Sequence, residues 1–179
     1  MDLTEMVSER DHIQGPSNAP LTLVVYGDYE CPYTRRALIS VSELRRQLGD
    51  RLRFVFRNFP LYEIHPHALR TAEAAEAAAA QGSELFWRMH SYLFAHQKAL
   101  EDEALRQYAG LSGLDLPGYD HDMAVHTHAG RIEHDVASGL DSGVEGTPSL
   151  FINGQRYAGS FESQPLLQAL ERSAQQTPR

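Results

Sequence analysis

One sulfur atom dominates the chemistry that this sequence can support, because Cys31 is the only cysteine among 179 residues. It follows an apolar run over residues 21–26 that predicts a buried strand, and it precedes an amphipathic pattern that predicts a helix starting at Pro32. The dipole and the unpaired N–H groups of a helix N-terminus stabilise a thiolate. The pattern therefore predicts a nucleophilic cysteine rather than an inert core residue.

Thr34 stands three residues after Cys31, at the position where a dithiol redox site carries its second cysteine. Without another cysteine the chain cannot close an intramolecular disulfide, so Cys31 must react with another molecule or be oxidised itself. Two interpretations of Thr34 are open. Either its hydroxyl donates a hydrogen bond to the thiolate, or the site has decayed and threonine is a tolerated helix residue.

The charge of the chain narrows the range of partners. A net charge of −8 and an isoelectric point near 5.5 argue against nucleic acid and anionic membranes. Arg35 and Arg36 follow Cys31 closely enough to favour its thiolate, whereas Asp28 and Glu30 oppose it. The arginines between positions 45 and 57 are interpreted as a solvated face.

The N-terminus lacks the basic and apolar regions of a secretory signal, and no apolar run approaches the length of a membrane span. Together with the single cysteine, this predicts a cytoplasmic protein with no membrane partner. Nothing in the sequence predicts an oligomeric state.

Strand patterns occupy the two ends of the chain and helix patterns occupy its middle, which predicts an α/β fold. The hairpin dipeptide Asn153-Gly154 marks the return of the sheet, and Ser163 is the expected N-cap of the final helix. The predicted strands are 12–14, 21–27, 52–57, 149–152 and 155–158. The predicted helices are 32–48, 68–80, an aromatic helix that contains residues 85–94, 101–110, a short one after 117, 127–139 and 165–174.

The Thr147–Pro148 bond at the mouth of the returning strand is a candidate cis peptide, because proline lowers the cost of that isomer. Such a loop offers the backbone of Thr147 to an extended peptide or to glutathione. The alternative is an ordinary trans turn.

Three segments together carry a family resemblance: 28–33, 65–75 and 146–154. They resemble the DsbA-like branch of the thioredoxin superfamily, and most of all its cytosolic members without a signal sequence, over roughly residues 10–172. The resemblance implies a thioredoxin-like domain, 1–62 and 140–179, with an inserted all-helical domain at 63–139.

The same resemblance implies the roles of the site residues and a co-substrate. Cys-Pro-Tyr-Thr is similar to a one-cysteine glutaredoxin motif, which implies glutathione or another low-molecular-weight thiol and no bound cofactor. Cys31 matches the nucleophile and Thr34 the second cysteine's position. The catalytic set is Cys31, Thr34 and Pro148, and the substrate-binding set is Pro32, Tyr33 and Thr147.

We therefore expect a monothiol thiol-disulfide oxidoreductase that acts on protein or peptide thiols and disulfides through a mixed disulfide at Cys31. Two alternatives stand beside it. One is a non-catalytic thioredoxin-like module that binds a peptide or partner, and the other is an enzyme similar to the kappa-type glutathione transferases.

The nine histidines do not have the spacing of a metal site. His126 and His128 face different ways on a helix, and His121 and His134 lack a partner at a fitting distance. No metal is expected. His65, at the start of the predicted insertion, is the expected neighbour of Cys31.

The Thr34→Cys variant tests the predicted strand-to-helix placement of the motif. Position 34 lies one helical turn after Cys31, where a second cysteine is within reach of a disulfide. We expect the oxidised variant to contain an intramolecular disulfide and to gain dithiol oxidoreductase activity. If mass spectrometry finds two thiols after oxidation, the predicted placement is wrong.

Overall fold

The computed structural model describes residues 2–176 and contains five strands and seven α-helices within them. The predicted α/β order is confirmed, with most bounds within two residues. In chain order the elements are β1 (His12–Gln14), β2 (Leu21–Gly27), α1 (Pro32–Leu48), a 3-10 turn (Gly49–Arg51), β3 (Leu52–Asn58), α2 (Ala68–Gln81), α3 (Ser83–Ala95), α4 (Asp102–Ser112), α5 (Leu116–Val125), α6 (Ala129–Asp141), β4 (Ser149–Ile152), β5 (Gln155–Tyr157) and α7 (Ser163–Gln176).

The five strands form one sheet in the order β1-β3-β2-β4-β5, which is a mixed α/β thioredoxin-like arrangement. β4 pairs antiparallel with β2, so that Val25 lies opposite Leu150, and β5 extends the sheet from β4. β2 lies at the centre and every one of its residues is buried, as expected for an uninterrupted apolar strand.

The described chain forms two compact units. The sheet unit comprises residues 2–27, 33–57 and 138–176, and in it α7 packs against β2 and β4. The helical unit comprises residues 58–137 together with the loop 28–32, and in it α2 packs against α3, α4 and α5. The alanines of α2 are largely buried. Their small side chains allow the neighbouring helices to pack closely against α2.

Two local predictions have opposite outcomes. Asn153 and Gly154 both adopt positive φ, 47° and 83°, between β4 and β5, as a two-residue hairpin requires; this prediction is confirmed. The prediction of Ser163 as an N-cap is wrong, because the last helix begins at Ser163 itself. The Ser163 hydroxyl instead donates to the carboxylate of Glu43 on α1.

Arg57 is a buried cation, which corrects the interpretation of this arginine as part of a solvated face. Its side chain is 2% exposed, and its guanidinium donates to both carboxylate oxygens of Asp11 at 2.7 and 3.0 Å and to the Tyr26 hydroxyl at 2.8 Å. Burial lowers the pKa of Arg57, but the hydrogen bonds to Asp11 and Tyr26 outweigh it and raise the pKa overall. The pair fixes the N-terminal segment to β3.

Replacing Asp11 with alanine should destabilise the fold by about 3–5 kcal/mol, because it leaves the Arg57 guanidinium buried without its anion. The control is Glu84→Ala, which removes an exposed partner of Arg88 on α3 and should cost about 0.5 kcal/mol or less. Urea unfolding of both variants measures the difference. Equal losses would show that the Asp11 pair behaves as a surface contact.

Candidate active site

Cys31 lies directly before the first residue of α1, at the end of a tight turn in the helical unit. The backbone N–H of Cys31 donates to the carbonyl oxygen of Asp28 at 3.1 Å, which closes the turn. Only 3% of the Cys31 surface is exposed. A reagent can therefore reach the sulfur only through a small opening or after the loop moves.

The carboxylate of Asp28 holds the turn in place. Its Oδ1 accepts from the backbone N–H of Glu30 at 2.8 Å, within the turn. Its Oδ2 accepts from the backbone N–H of Leu61 at 2.9 Å and lies 2.8 Å from Nδ1 of His65. This side chain is fully buried, and the three contacts replace the water that a buried carboxylate loses.

Two further side chains connect the loop with the rest of the helical unit. Gln97, between α3 and α4, donates its amide Nε2–H groups to the carbonyl oxygens of Tyr29 at 2.8 Å and of Cys31 at 3.0 Å. In the other direction, the Glu30 carboxylate accepts from the backbone N–H of His67 at 2.7 Å. His67 precedes the first residue of α2, where a carboxylate is favoured by the helix dipole.

Tyr29 anchors the loop in the aromatic side of α3. Its ring lies 4.8 Å from that of Phe94 and 5.4 Å from that of His90, and its hydroxyl is 3.0 Å from Nδ1 of His90. Burial, reinforced by the carboxylates of Glu76 and Asp135, raises the pKa of Tyr29 well above its ordinary value. The hydroxyl therefore keeps its proton and can donate a hydrogen bond to Nδ1 of His90.

Residues 33–57, which follow Pro32 directly, belong to the sheet unit. The side chain of Thr34 is fully buried on α1, whereas Tyr33 is 57% exposed. Arg36 was expected to favour the thiolate. Its guanidinium carbon lies 5.9 Å from the centre of the Phe161 ring, and its Nη2 forms an exposed ion pair with Oε1 of Glu162 at 3.9 Å.

The loop before β4 carries Thr147 and Pro148 in the sheet unit, and the peptide bond between them is cis. Both residues are partly exposed. Arg156 on β5 supports this loop, because its guanidinium donates to the carbonyl oxygen of Gly143 and lies 3.4 Å from the hydroxyl of Ser149. No local sequence pattern pointed to Arg156, because its contacts arise from the pairing of β4 with β5.

Histidines in the helical unit pair with carboxylates. Nδ1 of His126 lies 2.7 Å from Glu73, and Nε2 of His128 lies 2.7 Å from Asp122. Within residues 2–176 no group of three histidine, cysteine or acidic side chains is arranged to hold a metal ion. None of the helices in that range is long and apolar enough to cross a membrane.

The site residues divide between the two units. Cys31 and Pro32 lie in the helical unit, and Tyr33, Thr34, Thr147 and Pro148 lie in the sheet unit. A family model described as thioredoxin matches residues 7–172. The chain belongs to the thioredoxin family.

Similar proteins fall into two groups. The chain is 42% identical over 165 residues to the Na(+)/H(+) antiporter NhaA 1 of Mycolicibacterium gilvum, covering 91% of this chain and 26% of that protein. For Na(+)/H(+) antiporter NhaA 3 of Salinispora tropica the identity is 44% over 162 residues, covering 90% of this chain and 24% of that protein. The chain thus spans about a quarter of the curated relatives that it matches.

Solved structures share the fold over nearly the whole chain. A thioredoxin-like oxidoreductase from Silicibacter pomeroyi superposes with a TM-score of 0.82 at 26% identity, covering 95% of both chains. BdbD from Bacillus subtilis, in its oxidised form, gives a TM-score of 0.84 at 19% identity, covering 97% of this chain and 98% of that one. The thiol-disulfide exchange protein alpha-DsbA2 from Wolbachia pipientis gives a TM-score of 0.76 at 21% identity, covering 89% of this chain and 85% of that one.

Replacing Gln97 with alanine removes the amide donor from the carbonyls of Tyr29 and Cys31. Cys31 is 3% exposed, so movement of its loop should increase the access of iodoacetamide to the sulfur. Loss of the Gln97 hydrogen bonds should lower the free energy of that local opening by about 1–3 kcal/mol. We expect alkylation to accelerate by about tenfold.

The matched control is Gln107→Ala, which truncates an exposed glutamine on α4 and should leave the rate unchanged. An unchanged rate in the Gln97 variant would show that this amide does not hold the loop.

Proposed function

We propose that the protein is a monothiol thiol-disulfide oxidoreductase whose nucleophile is Cys31. The observation that carries the proposal is the position of the only cysteine, which ends a hydrogen-bonded turn at the start of α1. Helix N-termini stabilise thiolates. The structural neighbours, which include an oxidoreductase and a thiol-disulfide exchange protein, support the same chemistry.

The reaction proceeds in two exchanges. In the first, the Cys31 thiolate attacks one sulfur of a substrate disulfide, a new S–S bond joins the protein to that sulfur, and the other sulfur leaves as a thiolate with the electron pair. In the second, an external thiolate attacks the substrate sulfur of the mixed disulfide and releases Cys31 as a thiolate. In the net reaction the substrate disulfide is reduced to one free thiolate, and its other sulfur forms a new disulfide with the external thiol. Cys31 returns to its starting state.

An external thiol is required because position 34 is threonine and the chain has no second cysteine. We propose glutathione or another low-molecular-weight thiol for this step, which sets the reaction in the cytoplasm, where such thiols are kept reduced. Tyr33, 57% exposed, and the partly exposed Thr147 and Pro148 offer contact surfaces to a peptide or to the thiol. The Thr34 hydroxyl is proposed to stabilise the thiolate.

We propose no ion transport for this chain, because it matches only about a quarter of the length of the antiporter relatives.

Two other functions are outcomes of the test below. A binding module would hold a peptide without turnover, and a transferase similar to the kappa class would join glutathione to an electrophile.

Incubation with oxidised glutathione should add one glutathionyl group to the wild-type protein, and reduced glutathione should remove it. Under turnover conditions, with glutathione and a glutathionylated peptide, the wild type should be active and Cys31→Ser should retain only the background rate, because serine is a far weaker nucleophile. Intact mass and the formation of oxidised glutathione measure both steps.

Peptide binding without turnover, equal in Cys31→Ser, would replace the enzyme by the binding module. Conjugation of glutathione to an electrophile, without disulfide turnover, would favour the transferase.

A further inference from the structure

The two thiolate exchanges leave no role to the pair formed by Asp28 and His65, although Asp28 belongs to the same turn as Cys31. Nδ1 of His65 lies 2.8 Å from Oδ2 of Asp28, with the histidine side chain 20% exposed and the carboxylate fully buried. The hydrogen bond between the Cys31 N–H and the Asp28 carbonyl closes this turn. The α-carbons of Asp28 and Cys31 therefore lie within about 7 Å of each other. The imidazole is thus attached to the loop that carries the nucleophile.

The partner of His65 determines how its ring can act. An ionised carboxylate only accepts hydrogen bonds, so the proton of a neutral His65 ring lies on Nδ1, facing Asp28. Nε2 is then the basic nitrogen of the ring. Asp28 is itself held by the backbone N–H groups of Glu30 and Leu61, which fixes the direction of the hydrogen bond to Nδ1. A base oriented by a fixed carboxylate is an arrangement that recurs in enzymes that use acid–base catalysis.

The second exchange needs such a base. An aliphatic thiol has an ordinary pKa of about 8.5, so it arrives mostly protonated at neutral pH. Only its thiolate attacks a disulfide. Cys31, as the leaving thiolate, does not itself remove that proton before the attack. A neighbouring group that accepts the proton would therefore raise the rate of resolution.

We propose that His65 is the general base of the resolving step and the general acid of the first exchange. Nε2 takes the proton of the incoming aliphatic thiol as its sulfur attacks the mixed disulfide, giving an imidazolium. That imidazolium returns the proton to the thiolate that leaves when Cys31 attacks the next substrate disulfide. The inference rests on the proposed function, and it specifies protonated aliphatic thiols as the class of resolving thiol for which the site is built.

His65→Asn tests this role while preserving the structural contact. The amide nitrogen of asparagine takes the place of Nδ1 and keeps a donor for Asp28, and the basic Nε2 is lost. The matched control is His128→Asn. His128 is also bound to a carboxylate, that of Asp122, and its side chain is 18% exposed. Circular dichroism and thermal unfolding establish that both variants are folded, and His65→Gln is the second variant if asparagine destabilises the loop.

Each protein is first converted to its Cys31–glutathione mixed disulfide, and the rate of resolution is measured with two thiols. Glutathione is protonated at neutral pH, whereas the aryl thiol 5-thio-2-nitrobenzoate is already a thiolate. For His65→Asn we expect a loss of about tenfold or more with glutathione and less than about twofold with the aryl thiolate. Added imidazole should restore part of the rate with glutathione. His128→Asn should behave as the wild type.

An equal loss with both thiols would overturn the proposal, because it would show that His65 only supports the loop. An unchanged rate with glutathione would overturn it as well. A failure of the proposed function is a separate result: in that case the wild-type mixed disulfide would not form at Cys31, or would not be resolved by either thiol.

Discussion

The carboxylate of Asp28 is the contact on which the geometry of the Cys31 loop depends. One buried side chain accepts hydrogen bonds from the backbone of Glu30 and Leu61 and binds the imidazole of His65. A buried carboxylate without such partners would be costly, so the contacts with Leu61 and His65 stabilise the turn against the segment after β3. The nucleophile is therefore positioned by residues far along the chain as well as by the helix that follows it.

This constraint assigns the reactive loop to the helical unit. Residues 28–32 group with 58–137, and the contacts of Gln97 with the loop carbonyls and of Tyr29 with His90 and Phe94 show why. The predicted domain boundaries lie at 62/63 and 139/140, whereas the compact units change at 57/58 and 137/138 and the loop 28–32 joins the helical unit. The inserted helices thus provide part of the scaffold of Cys31, in addition to their own core.

Local signals predicted much of the fold. The apolar run before Cys31 and the amphipathic pattern after it gave the strand and the helix, and Asn153-Gly154 gave the hairpin, because periodicity and turn chemistry depend on neighbouring residues. The contacts of the site depend on residues far apart in sequence. Asp28 and Leu61 are separated by 33 positions, Cys31 and Gln97 by 66, and Arg57 and Asp11 by 46. Arg57 alternates in its strand like an exposed residue, and only the paired Asp11 explains its burial.

The central claim is that a single sulfur completes a catalytic cycle with the help of an external thiol. The most direct measurement is a single-turnover chase, in which protein carrying one isotopically labelled glutathionyl group on Cys31 is mixed with unlabelled glutathione. The account predicts labelled oxidised glutathione and the Cys31 thiol in equal amounts, at a rate no slower than steady-state turnover. A mixed disulfide that persists, or that resolves more slowly than turnover, would contradict it.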